Sequence, residues 1–224
     1  MAARPGGGRV RHAGPGLSVA LPTRFGGDAA RHLVWRLPLA TVLVLVATSF
    51  WARDVVALLM PVLSWAFAAV ADDFKVLQFG FVDDRQNLAV GAIAQLERAV
   101  FFGERVVWPG SVAGASVTVG TVLQPLQVVT VLLLAWPAGL REFAWRLVVV
   151  LPLLTLLVLA DAPLSLASWL WFALLRQYDP GGHSWLVSWN LFLNGGGRLA
   201  LALVAAVAAI VVARHLARGG RAAA

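Results

Sequence analysis

Four apolar runs constrain this chain more than any other feature: Leu33–Trp51, Val122–Trp136, Leu147–Ala160 and Leu199–Ala213. A helix rises about 1.5 Å per residue, so the first run spans roughly 28 Å, close to the thickness of a bilayer's hydrocarbon core. Composition agrees. Apolar residues make up 60% of the 224 and charged residues only 13%, with a mean hydropathy of +0.80. Soluble domains are about half apolar, so the excess is expected to face lipid. A chain of this length has no room for a large membrane domain and a large soluble one. It reads as one polytopic unit with a small extramembrane insert.

The net charge of +7 raises the question of nucleic acid, and its distribution answers it. Six of the 18 Lys and Arg residues fall in Met1–Arg36, two in Arg141–Arg146 and three in Arg214–Arg221. These segments each flank an apolar run, and the only acids in them are Asp28 and Glu142. That is the positive-inside pattern, which holds basic groups near anionic headgroups. No basic groove interleaved with aromatics is present, so no nucleic-acid partner is expected. With no cysteine, disulfides, thiolate catalysis and Cys-based metal sites are excluded, and no cofactor is expected.

In chain order, residues 1–32 read as a disordered basic cytoplasmic tail, rich in Gly, Ala and Arg without hydrophobic periodicity. A cleavable signal peptide is not expected, because the apolar run starts late and no small-residue cleavage site follows it. Residues 33–71 hold the first span, Leu33–Trp51, and a separate apolar helix over Val55–Ala71 lying on the outer face, with Pro61 in its middle. Residues 72–121 form a β-rich extracytoplasmic insert. Residues 122–213 hold three further spans over the remaining apolar runs, with an interfacial or re-entrant helix over Pro163–Leu175. Residues 214–224 are a second basic cytoplasmic tail. The fold class expected is therefore an α-helical polytopic membrane protein with four transmembrane helices and a small β-rich insert. Both termini are expected in the cytoplasm, in a bacterial inner membrane.

Within the insert the period shifts to two. Leu77, Phe79 and Phe81 alternate with Gln78 and Gly80, which suits a strand with one buried face. Asp83-Asp84-Arg85-Gln86-Asn87 is turn chemistry and Leu88–Ile93 the partner strand. Val100–Phe102 and Arg105–Trp108 flank Gly103-Glu104 as a second hairpin, and Ser111–Thr121 reads as a last strand. A small open sheet leaves N–H and C=O groups unpaired at its edge, so Leu77, Phe79 and Phe81 are the expected partner-binding residues. The insert carries six acids against four bases, and nothing in it resembles a cytoplasmic loop.

Candidate chemistry is sparse. Asp72-Asp73 and Asp83-Asp84 could supply oxygen ligands to a divalent cation, but neighbours on a strand point to opposite faces, and strand-end solvation explains them. His183 and Ser184, with Asp179 and Asp161 nearby in sequence, could be drafted as a hydrolytic triad. Yet Asp179-Pro180-Gly181-Gly182-His183 is turn chemistry, and triads are recognised by geometry. Gly195–Gly197 lacks the ending of a phosphate loop and reads as a linker. The expectation is thus a membrane accessory role with no catalytic, cofactor or metal residue. The alternative is a hydrolase or transferase using the outer-loop His and Asp residues.

The order of parts resembles that of the small membrane proteins that accompany exosortases, closest to the exosortase H-associated membrane protein type. The residues that carry this are Trp35-Arg36-Leu37-Pro38-Leu39, then Trp51 and an apolar outer helix, the strand-like insert, and Leu123-Gln124-Pro125-Leu126. The resemblance implies an accessory role beside an exosortase-like enzyme. It implies no active site: exosortases use a Cys with Arg and His, and this chain has no Cys.

Overall fold

Backbone in an apolar medium has no water to bond, so a helix once begun there has little to gain by breaking. The computed structural model, which describes residues 27–84, 87–102 and 105–222, follows this rule closely. Its first element, α1, runs unbroken from Gly27 to Val70 through both Pro38 and Pro61. Sequence periodicity divides this stretch into a span and a separate outer helix, but there is one helix of 44 residues, about 66 Å long. The same happens in α3, Leu140–Tyr178, which passes through Pro152 and Pro163 and absorbs the expected interfacial helix.

Between them come five strands and a short helix. β1 (Phe74–Asp84), β2 (Asn87–Leu96) and β5 (Val112–Thr118) form an antiparallel sheet in the order β1-β2-β5. β3 (Val100–Phe102) and β4 (Arg105–Val107) form a separate hairpin. The turn residues 85–86 and 103–104 lie outside the described residues, as do positions 1–26 of the expected tail and positions 223–224. Thr118 closes β5 and N-caps α2 (Val119–Ala135), its hydroxyl accepting from the Thr121 N–H. After α3, α4 (Trp185–Phe192) leads through a kink at Leu193–Gly197 into α5 (Arg198–Ala222).

Among the described residues, three helical stretches are long and apolar enough to cross a membrane: Leu33–Val70, Leu140–Tyr178 and the kinked Trp185–Arg218. The fourth expected span corresponds to α2, apolar but only 17 residues, about 26 Å. The architecture is that of a multi-pass membrane protein with a small sheet.

Two cores stack along the helices. At the sheet end, Val56, Leu63 and Phe67 of α1 and Leu166 and Leu170 of α3 meet Val90 and Ala92 of the central strand. At the opposite end, Val129 and Leu133 of α2 and Val150 and Leu154 of α3 close on Ala202, Ala205, Ala206 and Ala209 of α5. Small side chains on one stripe let the helix backbones approach. α1 joins chiefly the first core. Its amino-terminal half buries Ala40 and Val44 but leaves Trp35, Leu39, Val42 and Phe50 more than half exposed.

The opposite end is tied by Arg146, a residue that charge counting assigns to the basic inner loop. It is fully buried and donates to the carbonyls of Trp136 (2.8 Å), Pro137 (3.1 Å) and Leu133 (3.4 Å). It thereby satisfies the Leu133 carbonyl, one of those the last turn of α2 leaves without a helical partner, and two carbonyls just beyond that helix. Glu142, one turn earlier on α3, pairs with it at 2.5 Å and with Arg214 of α5 at 3.2 Å.

Gly91 sits at the centre of the sheet, where a Cβ would lie 2.7 Å from a Val82 methyl of the neighbouring strand. Val82 is β-branched and cannot swing aside cheaply. Gly91→Ala is therefore expected to destabilise the sheet by about 1–3 kcal/mol through overpacking. Limited proteolysis in detergent should show faster cleavage within residues 74–118 of this variant and unchanged cleavage elsewhere.

Candidate functional site

Three features of the structure bear on function: an edge strand, a cleft beside it and a charge pair between the helices. The edge strand is β1, one of the two edges of the sheet, which among the described residues has β2 on one side and no strand on the other. Its register shifts between Val76 and Gln78, so Leu77 is a bulged residue. The extra residue resets the alternation. Phe74 and Val76 point to the helices before the bulge, and Phe79 and Phe81 do so after it. Phe74 meets Trp171 edge-on at 5.6 Å and Phe79 lies 5.5 Å from Phe67, ring centre to ring centre. Phe81 is covered by the Arg53 guanidinium at 5.9 Å. Of the three expected partner-binding residues, then, Phe79 and Phe81 are half-buried against α1 while Leu77 is half exposed. The strict period of two suggested by Leu77, Phe79 and Phe81 conceals a bulge.

The cleft is a cavity of about 490 Å³ where the end of α1, the β3–β4 hairpin, the end of α3 and the start of α4 converge. α1 stops at Val70, and the next turn presents Asp72 and Asp73, fixed by the Phe74 N–H donating to the Ala71 carbonyl. α3 stops at Tyr178, and the turn closed by the Gly182 N–H on the Asp179 carbonyl brings Asp179, His183 and Ser184 to the same cavity. Phe102 anchors the hairpin by packing on Trp171 and Tyr178. Residues far apart in sequence thus share one cleft of carboxylates and aromatic walls. Sequence reasoning groups Asp179, His183 and Ser184 through the turn. It has no signal to bring Asp72 and Asp73 to them, since that juxtaposition depends on two helices ending at one level.

This geometry does not assemble a triad. Among the described residues no hydrogen bond joins His183 to Ser184 or to a carboxylate, and no group of three His, Asp or Glu side chains converges as a metal site. Asp161, the other candidate acid, lies elsewhere. The carboxylates of Asp72, Asp73 and Asp179 enter no ion pair among the described residues, so the cleft presents negative charge to the medium.

Asp161 is instead buried between α3 and α5 with Arg198. The pair is bidentate: Arg198 Nε lies 2.5 Å from one carboxylate oxygen and Nη2 lies 2.7 Å from the other. Ser165 donates to Asp161 at 3.3 Å, and Arg198 Nη1 donates to Asn194 at 3.3 Å. Asn194 in turn donates to Asn190 at 3.2 Å. Arg198 reaches this position because the chain kinks just before it, where Gly196 adopts φ +107°, a backbone that other residues adopt only with strain. The sequence offers Asp161 only as a candidate triad acid and Gly195–Gly197, just before Arg198, only as a linker. The available signal was a lone acid and a lone arginine at matching depths on antiparallel helices.

Comparison with protein-family models, curated proteins and solved structures finds no match to this chain. The functional reading therefore rests on geometry and sequence pattern.

Removing one partner of a buried ion pair leaves the other uncompensated, at about 3–5 kcal/mol. Asp161→Ala should show this loss in thermal unfolding followed by tryptophan fluorescence in detergent. The double variant Asp161→Leu/Arg198→Leu should recover most of it, since a well-packed apolar pair replaces both charges.

Proposed function

We propose that this chain is a non-catalytic subunit of a membrane assembly that docks a partner protein at its sheet end. The observation that carries this is β1, an edge strand with a bulged, exposed Leu77, held by α1 and α3 beyond the reach of a single bilayer crossing. At about 66 and 58 Å, both helices are roughly twice the hydrocarbon thickness. Their excess length is where the sheet rests. An open edge offers a partner a row of backbone donors and acceptors.

Charge supplies the orientation. The end opposite the sheet carries Arg141, Arg214 and Arg218, and the sheet end carries the acidic cleft. By the positive-inside rule the sheet faces out of the cytoplasm, with α1 starting and α5 ending on the cytoplasmic side of a bacterial inner membrane through four crossings. The resemblance in layout supplies the class of partner, a multi-pass enzyme of the exosortase type.

One observation favours a second reading, a hydrolase or transferase: the cleft gathers Asp179, His183 and Ser184. The two readings separate in a single experiment. The tagged chain is purified from membranes in mild detergent, and co-purifying proteins are quantified by mass spectrometry. Leu77→Lys places a charge on the strand edge and is expected to lower a stoichiometric partner at least about tenfold, the equivalent of 1.4 kcal/mol. The triple variant Asp179→Ala/His183→Ala/Ser184→Ala is expected to leave its yield unchanged. A chain that purifies without a partner, and whose cellular phenotype is lost with the triple variant alone, would overturn the docking function in favour of catalysis.

A further inference from the structure

At the end opposite the sheet, the α2–α3 turn and the last turns of α5 enclose a cavity of about 360 Å³. It is lined by Gly139, Arg141, Glu142, Arg214, Ala217 and Arg218. Three arginines from two helices thus line it. Arg141 and Arg218 are exposed and enter no ion pair among the described residues. Arg214 is shared between Glu142 and the face of Trp136, which its guanidinium covers at 5.4 Å. The one carboxylate lining the cavity among the described residues is already engaged by the buried Arg146, so the site keeps a surplus of positive charge.

A second observation points the same way. α3 begins at this cavity, and its N-cap, Gly139, has no side chain to cap the first turn. The first N–H groups of a 39-residue helix therefore stand uncapped beside the three arginines. The positive end of the helix dipole adds to their charge. Trp136 marks the depth of the site as that of the interfacial aromatic belt. Directly beyond it, Leu147 and Val148 of α3 and Val211 and Val212 of α5 are exposed apolar side chains.

We propose that this cavity binds the phosphate of an anionic phospholipid, whose acyl chains lie along those exposed faces of α3 and α5. Guanidiniums recognise phosphate through paired N–H donors, which suits the group better than a diffuse basic surface would. A free phosphate shares the headgroup chemistry but makes no use of the adjoining apolar faces, and that difference selects the lipid. The inference rests on the membrane-spanning reading, so its test must tell the two apart.

Membranes carrying the full chain are first washed with alkaline carbonate. Chain released by the wash would overturn both the spanning reading and the lipid site. Chain that stays is purified in detergent, supplied with equal phosphatidylglycerol and phosphatidylcholine, and examined by native mass spectrometry. Selective retention of phosphatidylglycerol is expected. Arg141→Ala/Arg218→Ala should reduce it about 30-fold, at about 1 kcal/mol per basic residue near an anionic surface. Both residues are exposed, so an unchanged melting temperature is expected to show that the variant is folded. Arg141→Lys/Arg218→Lys, which keeps the charge but not the fork, should fall between. Equal retention of the two lipids, or retention untouched by the alanine pair, would overturn the proposal. Displacement of the lipid by millimolar inorganic phosphate would overturn it in favour of a free-anion site.

Discussion

The structure depends on the rule that an apolar medium leaves a backbone group no partner but its own chain. This is why α1 passes Pro38 and α3 passes Pro152 without ending, although proline removes a hydrogen bond in each case. Continuity has an architectural result. Helices that do not stop at the membrane boundary become rigid posts, and a short sheet that would be marginal alone acquires a second layer to rest on. Phe67 of α1 and Trp171 of α3 are the contacts through which that support is delivered.

The two ends of the molecule then meet opposite electrostatic problems. At the sheet end, carboxylates gather in the open, where water stabilises them. At the other end, Arg146 is taken fully out of water, and its two terminal nitrogens are held by three carbonyls at the α2–α3 turn and by Glu142. Between the ends, Asp161 and Arg198 carry a neutral pair through an apolar layer. Bidentate geometry and the flanking Ser165 and Asn194 make that burial tolerable.

Much of the fold was legible because its signals are local. Apolar run length marked the helices, and the Asn87 and Gly103 turns marked the hairpins. What escaped was set by relations between distant elements. The bulge at Leu77 shifts parity by one residue, and Leu77 by itself looks like any other inward strand residue. Arg146 looked like surface charge because composition cannot reveal that the preceding helix ends beneath it. Asp161 and Arg198, 37 positions apart, could not be paired until both helices were in place. The cleft was half legible: the turn at Asp179–Ser184 was evident, its opposition to Asp72 and Asp73 was not.

The kink at Leu193–Gly197 has one more consequence. Arg198 stands at the head of the same stripe as Ala202, Ala205, Ala206 and Ala209, so its contact with Asp161 and the close packing of α5 share one rotational phase. The Arg198 N–H reaches back to the Leu193 carbonyl across a wide turn, and the number of residues in that turn sets the phase. Each residue of a helix advances it by about 100°. Losing one glycine here would swing the arginine and the alanine stripe together toward lipid, and would bring bulkier neighbours that now face outward, such as Leu203 and Val204, toward the packed side. The glycine segment therefore works as a spacer of fixed count, in addition to supplying the backbone freedom that Gly196 uses at the kink.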